Sequence, residues 1–285
     1  AGNIAMSRWY EVNRQTRSVG PADRGFQYGD GLFETIAIRD GKPRQWQHHL
    51  DRLTAGCERL GLDIPTSSLE LDLGVALARS SEDTSFCIAK IIVTAGEATR
   101  GYGRALPTPA EIYIGVFPST PLNRPAYTKG VATMLCETRL ATGSAVAGMK
   151  TLNRLEQVLA GSECLPTGAF EGFTLDAAGR LICGTISNVF IVKNQAIRTP
   201  SLQRCGVAGT MRRLVIELLE RDGRSVDVCD LTEEDLATAD EVFITNSQMG
   251  AVPVHRCGNY KWAIGETTRE IMRRLADHGI EECRP

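Results

Sequence analysis

Lys150 stands in the stretch Ala147-Gly148-Met149-Lys150-Thr151-Leu152-Asn153-Arg154-Leu155-Glu156-Gln157-Val158-Leu159. Leu152, Leu155, Val158 and Leu159 recur at helical spacing, which predicts a helix over Leu152–Ala160 with one buried face and Lys150 directly before it. A helix N-terminus carries partial positive charge and disfavours an ammonium there. With partial burial, that field lowers a lysine pKa toward the range where a free amine attacks a carbonyl. Schiff-base formation is the chemistry that uses such an amine. By position alone a lysine at a helix start is more often a solvated surface group, so its company has to decide. The chain has six lysines. Lys42, Lys129, Lys193 and Lys261 read as turn or loop-edge solvators, and Lys90 interrupts an apolar run where it fits one face of a strand.

Three further segments could hold an anion. Gly206-Val207-Ala208-Gly209-Thr210-Met211-Arg212 opens a helix with Leu214, Val215, Leu218 and Leu219. Two glycines permit a sharp turn, and the helix start offers unpaired N–H groups, together a phosphate cradle. Asn246-Ser247 follows the apolar run Val242–Thr245, where a strand end presents backbone amides, although a plain turn fits as well. Arg52, beside Leu50 and Leu53 on an expected helix, is a permanent cation for a phosphate or an ordinary surface arginine.

Composition bounds the setting. With 285 residues, 42% hydrophobic and 23% charged, the chain reads as a globular protein of about two domains. A net charge of −2 gives no electrostatic case for nucleic acid or an anionic membrane surface. Apolar runs fall short of the roughly 18 residues that span a bilayer. Nine cysteines without a CxxC pair read as reduced thiols of a cytoplasmic protein. His48, His49, His255 and His278 form no metal-ligand pattern, so no metal site is expected. Ala1–Ala5 reads as a cloning remnant ahead of Met6.

The elements that must position these groups follow from patterning. Strands are expected at Trp9–Val12, Leu32–Ile38, Ile88–Thr94, Glu111–Phe117, Val131–Cys136, Gly172–Asp176, Val189–Val192 and Glu241–Thr245, with a hairpin turn at Asp40-Gly41. Helices are expected at His48–Leu60, Ser68–Ala78, Leu152–Ala160, Thr210–Glu220, Thr232–Thr238 and Gly265–Asp277. Pro118–Pro125, with three prolines in eight residues, reads as a domain linker without regular structure. The expected division is residues 6–118, a linker over 119–125, and 126–285, in an α/β (α+β) protein of two domains.

Taken in order, the motifs resemble one family almost end to end after Met6. They are Asp23-Arg24-Gly25-Phe26-Gln27-Tyr28-Gly29-Asp30-Gly31-Leu32-Phe33-Glu34-Thr35, His49-Leu50-Asp51-Arg52-Leu53, Arg100-Gly101-Tyr102, Lys150–Leu159, Gly184-Thr185-Ile186-Ser187-Asn188-Val189-Phe190, Gly206–Arg212 and Ala239–Ser247. The chain resembles the fold type IV enzymes that depend on pyridoxal 5′-phosphate, and the run after Lys150 is similar to their aminodeoxychorismate lyase branch. The resemblance implies a smaller N-terminal α/β domain, a larger C-terminal domain, a cofactor in the cleft and a homodimer. It implies that Lys150 links covalently to the cofactor and then serves as general base. It also implies that Arg52, the amides of Thr210 and Met211, and Asn246-Ser247 hold the phosphate, while Tyr28, Thr35, Arg100 and Tyr102 line the substrate side. The implied reaction is 4-amino-4-deoxychorismate to 4-aminobenzoate and pyruvate, on the route to folate. Arg104 stands beside Arg100 as an alternative carboxylate ligand.

One position departs from the pattern. Where the family usually has a glutamate facing the pyridine nitrogen, this chain has Cys183, before Gly184-Thr185-Ile186-Ser187-Asn188. A carboxylate there keeps the ring nitrogen protonated and the ring a strong electron sink; a thiol is a weak partner. Transamination depends on that sink more than an elimination with an aromatic product does. Cys183 therefore points to a lyase, with its sulfur near the ring nitrogen and no other carboxylate in place of the glutamate. The competing readings are a D-amino acid or branched-chain aminotransferase of the same fold, and a catalytically silent homologue that binds the cofactor.

Overall fold

The computed structural model describes residues 8–11, 19–98, 100–143 and 145–285. Ala1–Met6, and Val12 of the expected first strand, lie outside the described residues. The chain divides into two compact units: Ala1–Thr120 with Lys150–Asn153, and Pro121–Met149 with Arg154–Pro285. Among the described residues no helix is long and apolar enough to cross a membrane.

The first unit comprises β1 (Arg8–Glu11), α1 (Arg24–Tyr28), β2 (Gly31–Arg39), β3 (Lys42–Pro43), α2 (Trp46–Leu60), β4 (Leu62–Asp63), α3 (Leu69–Arg79), β5 (Phe86–Thr94), β6 (Thr108–Pro109) and β7 (Glu111–Pro118). Its antiparallel sheet runs in the order β1-β7-β5-β2-β3. Asp40 and Gly41 both take positive φ, 49° and 74°, and so form the tight turn that pairs Arg39 with Lys42. Strand β5 alternates: Cys87, Ala89, Ile91 and Val93 are buried in the core, while Ile88, Lys90 and Ile92 stand half-buried on the other face. Helix α2 buries His49, Leu53, Gly56 and Cys57. A Cβ on Gly56 would come within 2.7 Å of a Leu32 methyl, so the missing side chain lets α2 lie close on β2.

The second unit comprises α4 (Arg124–Lys129), β8 (Val131–Leu140), α5 (Leu155–Cys164), β9 (Glu171–Asp176), β10 (Arg180–Gly184), β11 (Asn188–Lys193), β12 (Ala196–Pro200), α6 (Thr210–Arg221), β13 (Val226–Cys229), β14 (Leu231–Thr232), α7 (Glu233–Ala237), β15 (Glu241–Asn246), β16 (Gly250–Cys257), β17 (Tyr260–Lys261) and α8 (Glu266–Asp277). Its mixed sheet has the order β13-β12-β11-β15-β16-β8-β9-β10-β14, with β17 on β16. Parallel pairs are β12/β13, β16/β8 and β8/β9. Phe190 and Phe243 stack at 4.8 Å in the core formed where α6 and α8 cover these strands. Glu241 accepts from the N–H of Thr268 (2.7 Å) at the start of α8, an anion on a helix N-terminus.

Three sequence expectations need correction. The helix after Lys150 begins at Leu155, with Arg154 as its N-cap. Leu155, Val158 and Leu159 are 79%, 59% and 60% exposed, and the helix buries Ala160 and Cys164 instead. A leucine-rich stripe has helical spacing whether it faces a core or a surface, so periodicity could not assign its side. The proline-rich segment is not free of regular structure, since Pro118 ends β7 and Pro125 occupies the first turn of α4, where its missing N–H is harmless.

Candidate active site

Lys150 sits at a sheet edge rather than at a helix start. The Phe33 N–H donates to the Lys150 carbonyl (2.9 Å) and the Leu152 N–H to the Gly31 carbonyl (3.0 Å). Leu32 and Thr151 form an antiparallel bridge. The segment thus adds a short strand to the first half of β2, and four residues separate the lysine from α5. The helix field invoked from the sequence acts within the first turn and does not govern this amine. What Lys150 faces is an aromatic ring, with its Nζ 4.2 Å from the Phe33 centroid.

Arg52 and His49, three apart on α2, share a helix face directed at β2. The buried Glu34 carboxylate accepts from Arg52 Nε (2.8 Å) and Nη2, and lies 2.6 Å from His49 Nδ1. Burial pushes this carboxyl up, but the Arg52 charge with the His49 and Arg52 hydrogen bonds outweighs it and holds the pKa down at about 2. The sequence expectation gave Arg52 to a phosphate; the structure engages one edge of its guanidinium with Glu34, which fixes the orientation of the whole fork. Glu34 and His49 were not singled out from sequence, because the separation of 18 residues between Glu34 and Arg52 carries no periodic signal.

The residues expected on the substrate side also lie in the first unit. Tyr28 and Tyr102 meet edge to face at 5.4 Å, and Tyr102 is 86% exposed. Thr35 stands on β2 opposite Lys90 of β5. Arg24 anchors the Arg100–Tyr102 loop by donating to the carbonyls of Gly101 (2.8 Å) and Tyr102 (2.6 Å). Arg24 and Arg104 both pair with Asp30, at 2.8 and 3.0 Å. Burial raises the Asp30 pKa, but the two arginines reverse it and the net direction is down. Arg104 also donates to the Leu60 carbonyl (2.5 Å), so it braces the loop, whereas Arg100 is exposed.

In the second unit Thr210 and Met211 open α6 behind its N-cap, Gly209, and no side chain caps that helix. The Ala208 N–H donates to the Gly148 carbonyl (2.9 Å), which ties the loop to the chain ahead of Lys150. Asn188 Nδ2 donates to the Val207 carbonyl (3.0 Å). A Cβ on Gly209 would lie 2.0 Å from Asn188 Oδ1, so glycine is required for that close approach. Thr245, directly across from Asn188 in the sheet, is buried, and its hydroxyl has no hydrogen-bond partner among the described residues. Asn246 Oδ1 accepts from the N–H groups of Gln248 (2.9 Å) and Met249 (3.0 Å), and Gln248 Nε2 donates to Ser247 Oγ (3.3 Å).

Cys183 is buried on β10 beside a bulge between Leu181 and Cys183. Its Sγ lies 3.5 Å from Thr174 Oγ1 and packs with Leu140, Ile182, Leu202 and Cys205. Burial pushes the thiol up to about 12, so it is neutral. Glu171, a neighbouring carboxyl, accepts from the Ile186 N–H (2.7 Å) and Ser187 Oγ (2.7 Å) and is occupied in holding that loop. Burial raises its pKa to about 7 against the pull of those donors.

This assembly of side chains can be set beside known proteins. An aminodeoxychorismate lyase of Vibrio harveyi is 37% identical over 94% of this chain and 98% of its own length. A crystal structure of 4-amino-4-deoxychorismate lyase from Pseudomonas aeruginosa superposes with a TM-score of 0.90 at 38% identity, covering 96% of this chain and all of that one. A D-alanine aminotransferase of Bacillus licheniformis is 28% identical over 95% of both chains. The model of the aminotransferase class IV family matches residues 31–257, a span that contains Lys150, Arg52, Cys183 and the α6 loop, and this chain belongs to that family.

Proposed function

We propose that the chain is a pyridoxal phosphate-dependent lyase that converts 4-amino-4-deoxychorismate to 4-aminobenzoate and pyruvate. The observation that carries this reading is its identity to a lyase along nearly the whole length of both chains. When bound, pyridoxal phosphate supplies an aldehyde that holds the substrate amine and a ring that takes up electrons from the adjacent carbon.

The residues present fit such a group. Lys150 would carry it and later, as a free amine, remove the proton from the ring carbon that bears the substrate nitrogen. The phosphate would be held by Arg52, by the amides of Thr210 and Met211, and by Asn246 and Ser247. Two observations support the fit: a helix start whose N-cap is glycine, and the buried Thr245 hydroxyl left without a partner beside it. Glu34 would orient Arg52 rather than touch the cofactor. Tyr28, Thr35, Arg100 and Tyr102 would line the substrate side. Cys183, a neutral thiol, would give the ring nitrogen a weak partner and so favour elimination over transamination.

Homodimer formation is part of this reading, supported by the exposed apolar stripe of Leu155, Val158 and Leu159 on α5. A cytoplasmic setting fits nine cysteines that all carry free thiols. The D-alanine aminotransferase relative supports a second reading, amino transfer from a D-amino acid. Pyruvate release from 4-amino-4-deoxychorismate, coupled to lactate dehydrogenase, separates the two. Release without an added amino acceptor is expected, and its absence alongside amino transfer from D-alanine would replace the first reading by the second.

A further inference from the structure

Beyond Lys150 the pairing with β2 is continued by one side chain. The backbone rungs end where the Leu152 N–H donates to the Gly31 carbonyl (3.0 Å). One residue further on, Asn153 Nδ2 donates to the Tyr28 carbonyl (3.1 Å), the last carbonyl of α1. No further helical turn follows to pair that carbonyl, so its partner has to come from outside the helix. Gly29 makes the approach possible. Its φ is 68°, in the region that favours glycine, and a Cβ there would lie 2.4 Å from Asn153 Nδ2. Only the nitrogen of the amide can donate, so the carbonyl it faces fixes which way the side chain is turned.

What is attached to α1 gives this contact its reach. Arg24, buried at the start of that helix, pairs with Asp30 and donates to the carbonyls of Gly101 and Tyr102. Its guanidinium stands 5.1 Å from the centroid of the Tyr28 ring, and that ring meets Tyr102 edge to face. Helix α1 and the 100–102 loop are thereby tied into one piece, and Asn153 is the side chain that joins this piece to the segment carrying Lys150. We propose that Asn153 is a positioning residue: it sets the distance from Lys150 to the aromatic wall of Tyr28 and Tyr102, and with it the affinity for substrate. The proposal rests on the reading that puts the substrate against those tyrosines. Asn153 itself touches no reacting atom and transfers no proton. Its leverage is geometric, since a displacement of about 1 Å between a reacting group and the wall that orients its substrate is enough to spoil alignment.

The test compares holoenzyme of Asn153→Asp and Asn153→Gln with the wild type. Aspartate keeps the shape of the side chain but has no N–H to give, whereas glutamine keeps the donor on a longer stem. In Asn153→Asp, KM for 4-amino-4-deoxychorismate should rise about tenfold while kcat changes less than about threefold, and Asn153→Gln should recover part of the loss. Cofactor content should match the wild type. Hydrogen exchange of the holoenzyme, followed by mass spectrometry, should quicken over residues 24–33 and 100–104 and stay unchanged over residues 171–193. An unaltered KM in Asn153→Asp would overturn the assignment, as would a fall in kcat alone. Loss of cofactor with faster exchange throughout the chain would also overturn it, because the role would then be general stability. A wild-type protein that releases no pyruvate would instead remove the lyase reading. The exchange comparison then decides the Asn153 contact by itself, and an unaltered rate over residues 24–33 would end it.

Discussion

Replacing Glu171 with glutamine should flatten the dependence of stability on pH between about 4.5 and 7. Glu171 is 1% exposed at the start of β9, and its carboxyl pKa is raised by burial from 4.5 to about 7. The folded protein thus holds a proton that the unfolded chain has released. The stabilising contribution is fully present below pH 4.5 and is lost as pH rises through about 7. A shift of about 2.5 units at about 1.4 kcal/mol per unit corresponds to roughly 3 kcal/mol. A glutamine oxygen at the Oε1 position keeps the Ile186 N–H partnered, and the amide nitrogen at the Oε2 position can donate to Ser187 Oγ in place of accepting from it, so the substitution removes the titration while keeping most of the loop's anchoring. Urea unfolding of the apoprotein at intervals from pH 5 to 8 gives the measurement. The wild-type midpoint should fall across that range more steeply than that of Glu171→Gln, and the variant should gain most at pH 8. Parallel pH profiles for the two proteins would refute the reasoning, since they would mean that Glu171 is ionised in the fold over the whole range.

Lys150→Ala should abolish pyruvate release while phosphate-dependent uptake of the cofactor persists, as followed by absorbance after gel filtration. Arg52→Met leaves the buried Glu34 carboxylate with His49 as its remaining partner and should destabilise the first unit by about 3–5 kcal/mol in urea unfolding. On the proposed homodimer, a charge at Val158→Asp or Leu159→Asp should favour the monomer in sedimentation, with the fold unchanged by circular dichroism. Cys183→Glu should raise amino transfer from alanine relative to lyase turnover, because each unit gained by the ring nitrogen stabilises the charged sink by about 1.4 kcal/mol; an unchanged ratio would show that the thiol does not set the reaction.

Apolar runs announced β5 (despite Lys90), β7, β11 and β15, and one-sided spacing announced α2 and α6, because burial imposes those patterns on the sequence. Strand β16 was hidden by Pro253, which argues against an interior strand. The structure places that proline one residue before the pairing of Val254 with Val131 begins, where the ladder to β8 has not yet started. Strand β10 was hidden by its shortness and its bulge. Short elements such as α1 are set by a cap, here Asp23 accepting from the Phe26 N–H, rather than by periodicity. Lys150, Arg52 and the glycine turn before α6 stood out by residue type and motif, although the helix start that spacing gave Lys150 is a sheet edge in the structure. The chain could not advertise that Glu34 reaches Arg52, that Glu171 braces the loop after Cys183, or that Lys90 shares a ring with Lys150. Those are products of strand register and of helix-on-sheet packing, which pair residues far apart in sequence.

The short strand at Lys150 has a consequence for the order in which the protein can be made. Without it the first half of β2 would be a bare sheet edge, with unpaired amide and carbonyl groups from Gly31 to Phe33. A ribosome must synthesise β8 and the loop after it before that edge can be closed. The nascent N-terminal unit therefore waits some thirty residues past Thr120 for its last strand, exposed to mispairing over that interval. A gene cut at Thr120 should yield an N-terminal fragment that self-associates, and a synthetic peptide spanning residues 147–154 should suppress that association by occupying the edge.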